Sequence, residues 1–144
     1  MDRHKLIQWL TVYTCNHFGI TRSSLLSNSR RLEYAIPRSI ISNLLKEFSY
    51  LSYPAIANVL GKRDHTTIMH HIKQKENKKS FWHLTEVWGA YDKIKWEMLI
   101  LFPDLRGNYT KEDRANVPIW VQQIHKRRNN VSKTNNNKRR KEVD

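Results

Sequence analysis

Apolar side chains recur along this chain at helical spacing, and no stretch alternates with the period of two that a half-buried strand requires. A pattern of that period is buried on one side only when the backbone is helical, so the expected fold class is all-α. Residues 3–18 place Leu6, Ile7, Leu10, Tyr13, Thr14, His17 and Phe18 at helical spacing, and Gly19 supplies the stop. Thr21 reads as the N-cap of a short turn through Leu25 and Leu26. Asn28-Ser29-Arg30-Arg31 is polar, basic and loop-like. A long helix is expected from Pro37, with Ile40, Ile41, Leu44, Leu45 and Phe48 on one face. Ser52 or Tyr53 opens the next helix, with Pro54 in its first turn and Ile56, Ala57 and Leu60 inward. Gly61 breaks it, and a further helix runs from about Arg63 toward Lys78. Residues 81–102 form another amphipathic segment, striped by Leu84, Val87, Trp88, Tyr91, Ile94, Met98, Leu101 and Phe102, with Trp82 and Trp96 off the stripe. Residues 118–128 are expected to add a short final helix.

Charge narrows the partners. The chain carries 26 Lys and Arg against 13 Asp and Glu, a formal net charge of +13, and so basic a surface attracts polyanions, nucleic acid foremost. The acids are unevenly placed. Only Asp2, Glu33, Glu47, Asp64 and Glu76 precede residue 80, whereas Glu86, Asp92, Glu97, Asp104, Glu112 and Asp113 crowd the stretch 80–114. The expected organisation is a basic domain over 1–79, a helical extension over 80–125 and a basic tail over 126–144. That extension either packs on the basic domain or self-associates into a homodimer. The tail holds Lys126, Arg127, Arg128, Lys133, Lys138, Arg139, Arg140 and Lys141 around an asparagine run. Its large apolar side chains are Val131 and Val143 alone, so it is expected to be disordered and to act as a non-specific phosphate-binding arm. Cys15 is the single cysteine, which excludes an intrachain disulfide and suits a small core residue in a reducing compartment. Neither a membrane span nor a signal-peptide core is evident, and the expected location is the cytoplasm, on the nucleoid.

Two helices joined at Gly61, the first short and apolar inward, the second polar and basic, have the form of a helix-turn-helix. The second opens with Asp64, His65, Thr66 and Thr67. A carboxylate accepts from a cytosine amino group, an imidazole donates to a purine acceptor, and a threonine bonds a base edge or lays its methyl on thymine. Asp64 equally suits plain N-capping. Ile68, Ile72 and Met69 are the inward candidates. Lys62, Arg63, Lys73, Lys75, Lys78 and Lys79 are candidates for phosphate.

The string Gly61-Lys62-Arg63-Asp64-His65-Thr66-Thr67-Ile68-Met69-His70 resembles the signature of the C-terminal DNA-binding domain of the bacterial replication initiator DnaA family. Pro37-Arg38-Ser39, Leu44-Leu45-Lys46-Glu47-Phe48 and Ser52-Tyr53-Pro54-Ala55-Ile56 follow the family's spacing without a gap. His17-Phe18-Gly19-Ile20 and Leu25-Leu26-Ser27 extend the resemblance upstream, so that it covers about residues 3–78. It implies a double-stranded DNA partner, a short asymmetric element called the DnaA box, with the recognition helix in the major groove. By position it implies that Arg30, with Arg31 beside it, reaches the adjacent minor groove. Arg38 and Ser39 match backbone-contacting positions. Tyr53 and Pro54 match DNA contacts at the start of the first motif helix. Asp64, His65, Thr66 and Thr67 match base-reading positions, and Lys62 and Arg63 lie toward phosphate.

The chain departs from the family's pattern in three places. Lys62 stands where a second glycine is usual, Leu32-Glu33-Tyr34 replace small or basic residues, and no glycine-rich phosphate loop occurs among four scattered glycines. The expectation is therefore a stand-alone reader without the ATPase module, acting as a regulator of replication or transcription of the kind a phage or mobile element encodes. No cofactor, metal or catalysis is expected. His65, His70 and His71 are not spaced to put two imidazoles on one helix face, and Asp64 stands alone among the basic residues around it. The alternatives are an adaptor recruiting a replication protein through residues 80–125, or RNA binding through the tail.

Overall fold

A computed structural model describes residues 2–108, 111–124 and 126–127, so the expected basic tail lies, from residue 128 on, outside the described residues. The described elements are all helical. The chain divides into a unit ending at Asn108 and a second beginning at Tyr109.

In the first unit, α1 (Arg3–Phe18) starts on Asp2, whose carboxylate accepts from the backbone N–H groups of His4 and Lys5, and stops at Gly19 in the left-handed region. Its buried residues are Leu6, Leu10, Thr11, Thr14 and Cys15. Thr21 caps the short α2 (Arg22–Leu26). The central helix α3 (Leu32–Phe48) differs from expectation at its start and in its surroundings. It begins five residues before Pro37 because the Arg31 carbonyl accepts from Tyr34 and Ala35, and because Glu33 places a carboxylate in the first turn, where the helix dipole favours it. Pro37 then lies inside the helix and forgoes the bond its N–H would have given the Glu33 carbonyl. Every residue from Pro37 to Leu45 is buried, so this stretch of α3 is enclosed on all sides and not on a single face. Two of its polar members donate within the helix: Ser42 Oγ to Arg38 O (2.7 Å) and Asn43 Nδ2 to Ser39 O (2.8 Å).

Around α3 pack α4 (Tyr53–Val59), α5 (His65–Glu76), a 3-10 turn (Ser80–His83), α6 (Thr85–Leu101) and a second 3-10 segment (Pro103–Asn108). The stretch expected as one helix over 81–102 is divided at Leu84, whose backbone is extended. The division lets Trp82 turn inward, fully buried, with its indole N–H on Ser39 Oγ at 2.8 Å. Trp96, off the apolar stripe in sequence, is also buried. The largest fully buried side chains are Leu6, Leu10, Leu25, Ile40, Ile41, Leu44, Leu45, Ile56, Leu60, Ile68, Trp82 and Ile94, all below 2 % exposure, and the core draws on residues both before and after position 80. Cys15 is buried. In the second unit α7 (Lys111–Ala115) lies outside the helices expected from the sequence, and residues 119–124 are helical.

Candidate nucleic-acid interface

α4 and α5 meet through a turn that only certain backbones can follow. The α4 helix closes with Leu60 N–H on Ile56 O, and the chain then takes two consecutive left-handed residues, Gly61 at φ 93° and Lys62 at φ 59°. The Arg63 N–H returns to Ala57 O at 3.1 Å, which fixes the angle between the helices. A Cβ on Gly61 would sit 2.7 Å from the Leu26 carbonyl oxygen, so the turn presses its bare Cα against the end of α2. Lys62 holds a conformation that glycine adopts without strain. Lys62→Gly is expected to raise stability by about 1 kcal/mol in urea unfolding. The same variant should lower the salt slope of DNA binding by about one, because a cation is lost.

Asp64 is the N-cap of α5. Its Oδ1 accepts from Thr66 N–H at 3.0 Å, and this bond holds the carboxyl below its ordinary range. Ile68 is the one fully buried residue of the helix, and the turn before it leaves Asp64, His65, Thr66 and Thr67 exposed. Asp64 and His65 also lie 3.4 Å apart.

Two arginines, Arg38 buried and Arg63 half-buried, tie the loop before α3 to this turn. Arg38, 4 % exposed, donates from Nε to Leu25 O (2.7 Å), from Nη1 to Ser29 O (2.5 Å), and from Nη2 to Ser24 O (3.1 Å) and Ser27 O (2.8 Å). Arg63 adds Nη2 bonds to Leu25 O (3.3 Å) and Ser27 O. Beyond Ser24 O, which also accepts the Ser27 N–H at 3.2 Å, the carbonyls at the C-terminal end of α2 lack helical partners, and planar guanidinium groups supply several donors at once. Burial pushes Arg38 down to about 10, with the charge of Arg63 contributing, and lowers Arg63 as well. Both remain charged at neutral pH.

Arg30, Lys62, Arg63, Asp64 and Thr67 line one open cleft of about 480 Å³, with Arg38 and His71 at its inner wall. The cleft thus brings the loop and the first turn of α5 together. Burial holds His71 at about 4, and the positive charge of His70, Arg63 and Arg38 adds to it, so the imidazole is neutral at physiological pH. Beside the cleft, Arg31 is exposed and pairs with Glu33 at 3.5 Å, which partly neutralises it. Tyr53 is half-buried with Lys46 Nζ 4.3 Å from its ring centre, and Pro54 is exposed. These two are not among the residues lining the cleft.

Several expected site or phosphate-candidate residues spend polar groups on the protein itself. Arg38 and Ser39, matched to backbone-contacting positions, are interior: the first grips carbonyls and the second accepts the Trp82 indole. Arg63 spends Nη2 on carbonyls. Lys75 turns away from solvent onto Glu47 at 2.6 Å. An available signal for Arg38 was its place inside the apolar run Ile36 to Ile41, where a charged group is retained only with partners. Among the described residues no group of three or more His, Cys, Asp or Glu is arranged to hold a metal, and no helix is long and apolar enough to cross a membrane.

Known proteins match this same region. The family model described as "Bacterial dnaA protein helix-turn-helix" matches residues 9–74. The chromosomal replication initiator protein DnaA of Geotalea daltonii is 31% identical over 93 residues, covering 65% of this chain and 20% of that protein. DnaA of Magnetococcus marinus is 33% identical over 78 residues (54% and 17%), and DnaA of Lactococcus lactis subsp. cremoris 41% over 63 residues (44% and 14%). The chain therefore spans about a fifth or less of the length of these relatives. The module matched is a DNA-binding one and not a catalytic one. Residues 9–74 of this chain are a DNA-binding helix-turn-helix domain of the bacterial DnaA type.

Proposed function

We propose that this chain reads double-stranded DNA in a sequence-specific way, at sites resembling the DnaA box, and regulates replication or transcription by occupying them. The observation that carries the reading is the exposed Asp64–Thr67 turn at the head of α5, of which Asp64 and Thr67 line one cleft with the exposed Arg30. A helix N-terminus with hydroxyl and imidazole groups fits a major groove, and an arginine on a neighbouring loop fits the adjoining minor groove. Bridging elements of this kind straddle the phosphate strand between the two grooves. The roles of the individual residues follow: His65, Thr66 and Thr67 meet base edges, Asp64 orients them through its cap and offers an acceptor to cytosine, and Lys62, Arg30 and Arg31 meet backbone or minor groove. Tyr53 and Pro54 approach phosphate at the head of α4.

Fluorescence anisotropy tests this at physiological salt with a DnaA-box duplex and a scrambled duplex of the same composition. His65→Ala and Thr66→Ala are each expected to weaken box binding by ~1–3 kcal/mol while leaving the scrambled duplex unchanged. Equal losses on both duplexes would assign these residues to phosphate and remove the base-reading role.

A further inference from the structure

The recognition helix is held at its far end by groups that no DNA contact explains. Among apolar side chains of α5 only Ile68 is fully buried, while Met69 and Ile72 are half-buried. Ile68, together with the Asn43 Nδ2 bond to His71 O (3.4 Å), holds the head and middle of this twelve-residue helix and leaves its last turn to be fixed. The second constraint is Lys75, in the last turn and about 15 Å along the axis from His65. Its ammonium donates to Glu47 Oε1 of α3 at 2.6 Å and lies 4.5 Å from the Tyr91 ring centre and 5.3 Å from that of Trp88, both on α6. The lysine side chain is 17 % exposed. Tyr91 Oη donates to the other oxygen of Glu47, and Trp88 Nε1 donates to Trp82 O at 2.6 Å. Trp82 in turn is buried against Ser39 of α3.

We infer that Lys75, Trp88 and Tyr91 are positioning residues: residues 80–101 lock the tail of the recognition helix against α3 and so aim its head at the bases. This rests on the DNA-reading function proposed above. A cation held between a carboxylate and two aromatic faces, mostly out of water, is directional in a way that apolar contact is not. The segment after residue 80 thereby takes part in sequence discrimination without touching DNA. Lys75 itself carries no phosphate.

The test uses the full chain with Lys75→Met, the double variant Lys75→Met with Glu47→Gln, Tyr91→Phe, and Lys75→Arg as the conservative control. Circular dichroism melting confirms that each folds. The ratio of box to scrambled affinity is expected to fall about five- to tenfold in the two Lys75→Met variants and less in Tyr91→Phe, with recovery in Lys75→Arg. The salt slope should stay unchanged, because no phosphate contact is lost. Amide hydrogen exchange at residues 65–69 should quicken in the Lys75→Met variants even without DNA. A salt slope lowered by about one with the ratio kept would make Lys75 a phosphate ligand and overturn the inference. So would an unchanged ratio and unchanged exchange in folded variants. Equal affinity of the unaltered chain for both duplexes would instead sink the DNA-reading proposal, and the exchange data would still decide whether Lys75 holds the helix.

Discussion

Gly61→Ala is expected to destabilise the first unit by about 3 kcal/mol and to lower its melting temperature by roughly 10–20 °C. Two effects add. The backbone stands at φ 93°, where an L side chain is strained, and the new Cβ would lie 2.7 Å from Leu26 O. A flexible side chain would rotate aside, but this neighbour is backbone, held in place by the arginines that grip Leu25 and Ser27. Relief requires the turn to lift off α2, which tilts α5 away from the loop carrying Arg30. DNA affinity should fall further than stability alone explains. Calorimetric melting together with anisotropy at a temperature where the variant is still folded measures both. A variant that melts within a few degrees of the parent would show that the close approach of turn and α2 is not a structural requirement.

Arg38→Met carries the second large effect, about 3–5 kcal/mol of lost stability in urea unfolding. The side chain serves four carbonyls, at Ser24, Leu25, Ser27 and Ser29, and methionine satisfies none of them. Arg38→Lys should recover only a small part, since an ammonium cannot reproduce donors directed from one planar fork. Because the same carbonyls shape the segment leading to Arg30, the variant should also lose DNA discrimination. The opposite pattern, near-normal stability with a shallower salt dependence of binding, would restore Arg38 to the phosphate-contacting place that the family resemblance implies.

These two residues show what a sequence reveals and what it withholds. Gly61 and the run Asp64 to Thr67 were legible because their information is local: a helix break, a cap and exposed polar groups within one turn. The apolar anchors Ile40, Ile41, Leu44, Leu45, Ile56, Leu60 and Ile68 were legible for the same reason, through their period. The start of α3 was not. Pro37 suits a first helical turn, yet Arg31 and Glu33 initiate the helix earlier through backbone bonds and the dipole. Basic side chains were the least legible. A lysine or arginine has the same symbol whether its head reaches water, phosphate or a carbonyl at another helix end, and only distant partners decide. Lys75 needed Glu47, 28 residues before it, and Trp88 and Tyr91 after it. Arg38 needed carbonyls up to 14 residues upstream. Charge alone offers Lys75 to phosphate and the family resemblance offers Arg38 to the DNA backbone, whereas the tertiary structure gives both heads partners within the protein.

The interface itself is tested most directly by titrating ¹⁵N-labelled chain with the box duplex and with the scrambled duplex, following backbone amides by NMR. The account predicts that the box duplex produces its largest shifts at His65, Thr66 and Thr67 and at Arg30, and that the scrambled duplex produces smaller ones there. Shifts identical for the two duplexes, or confined to residues after 80, would contradict it.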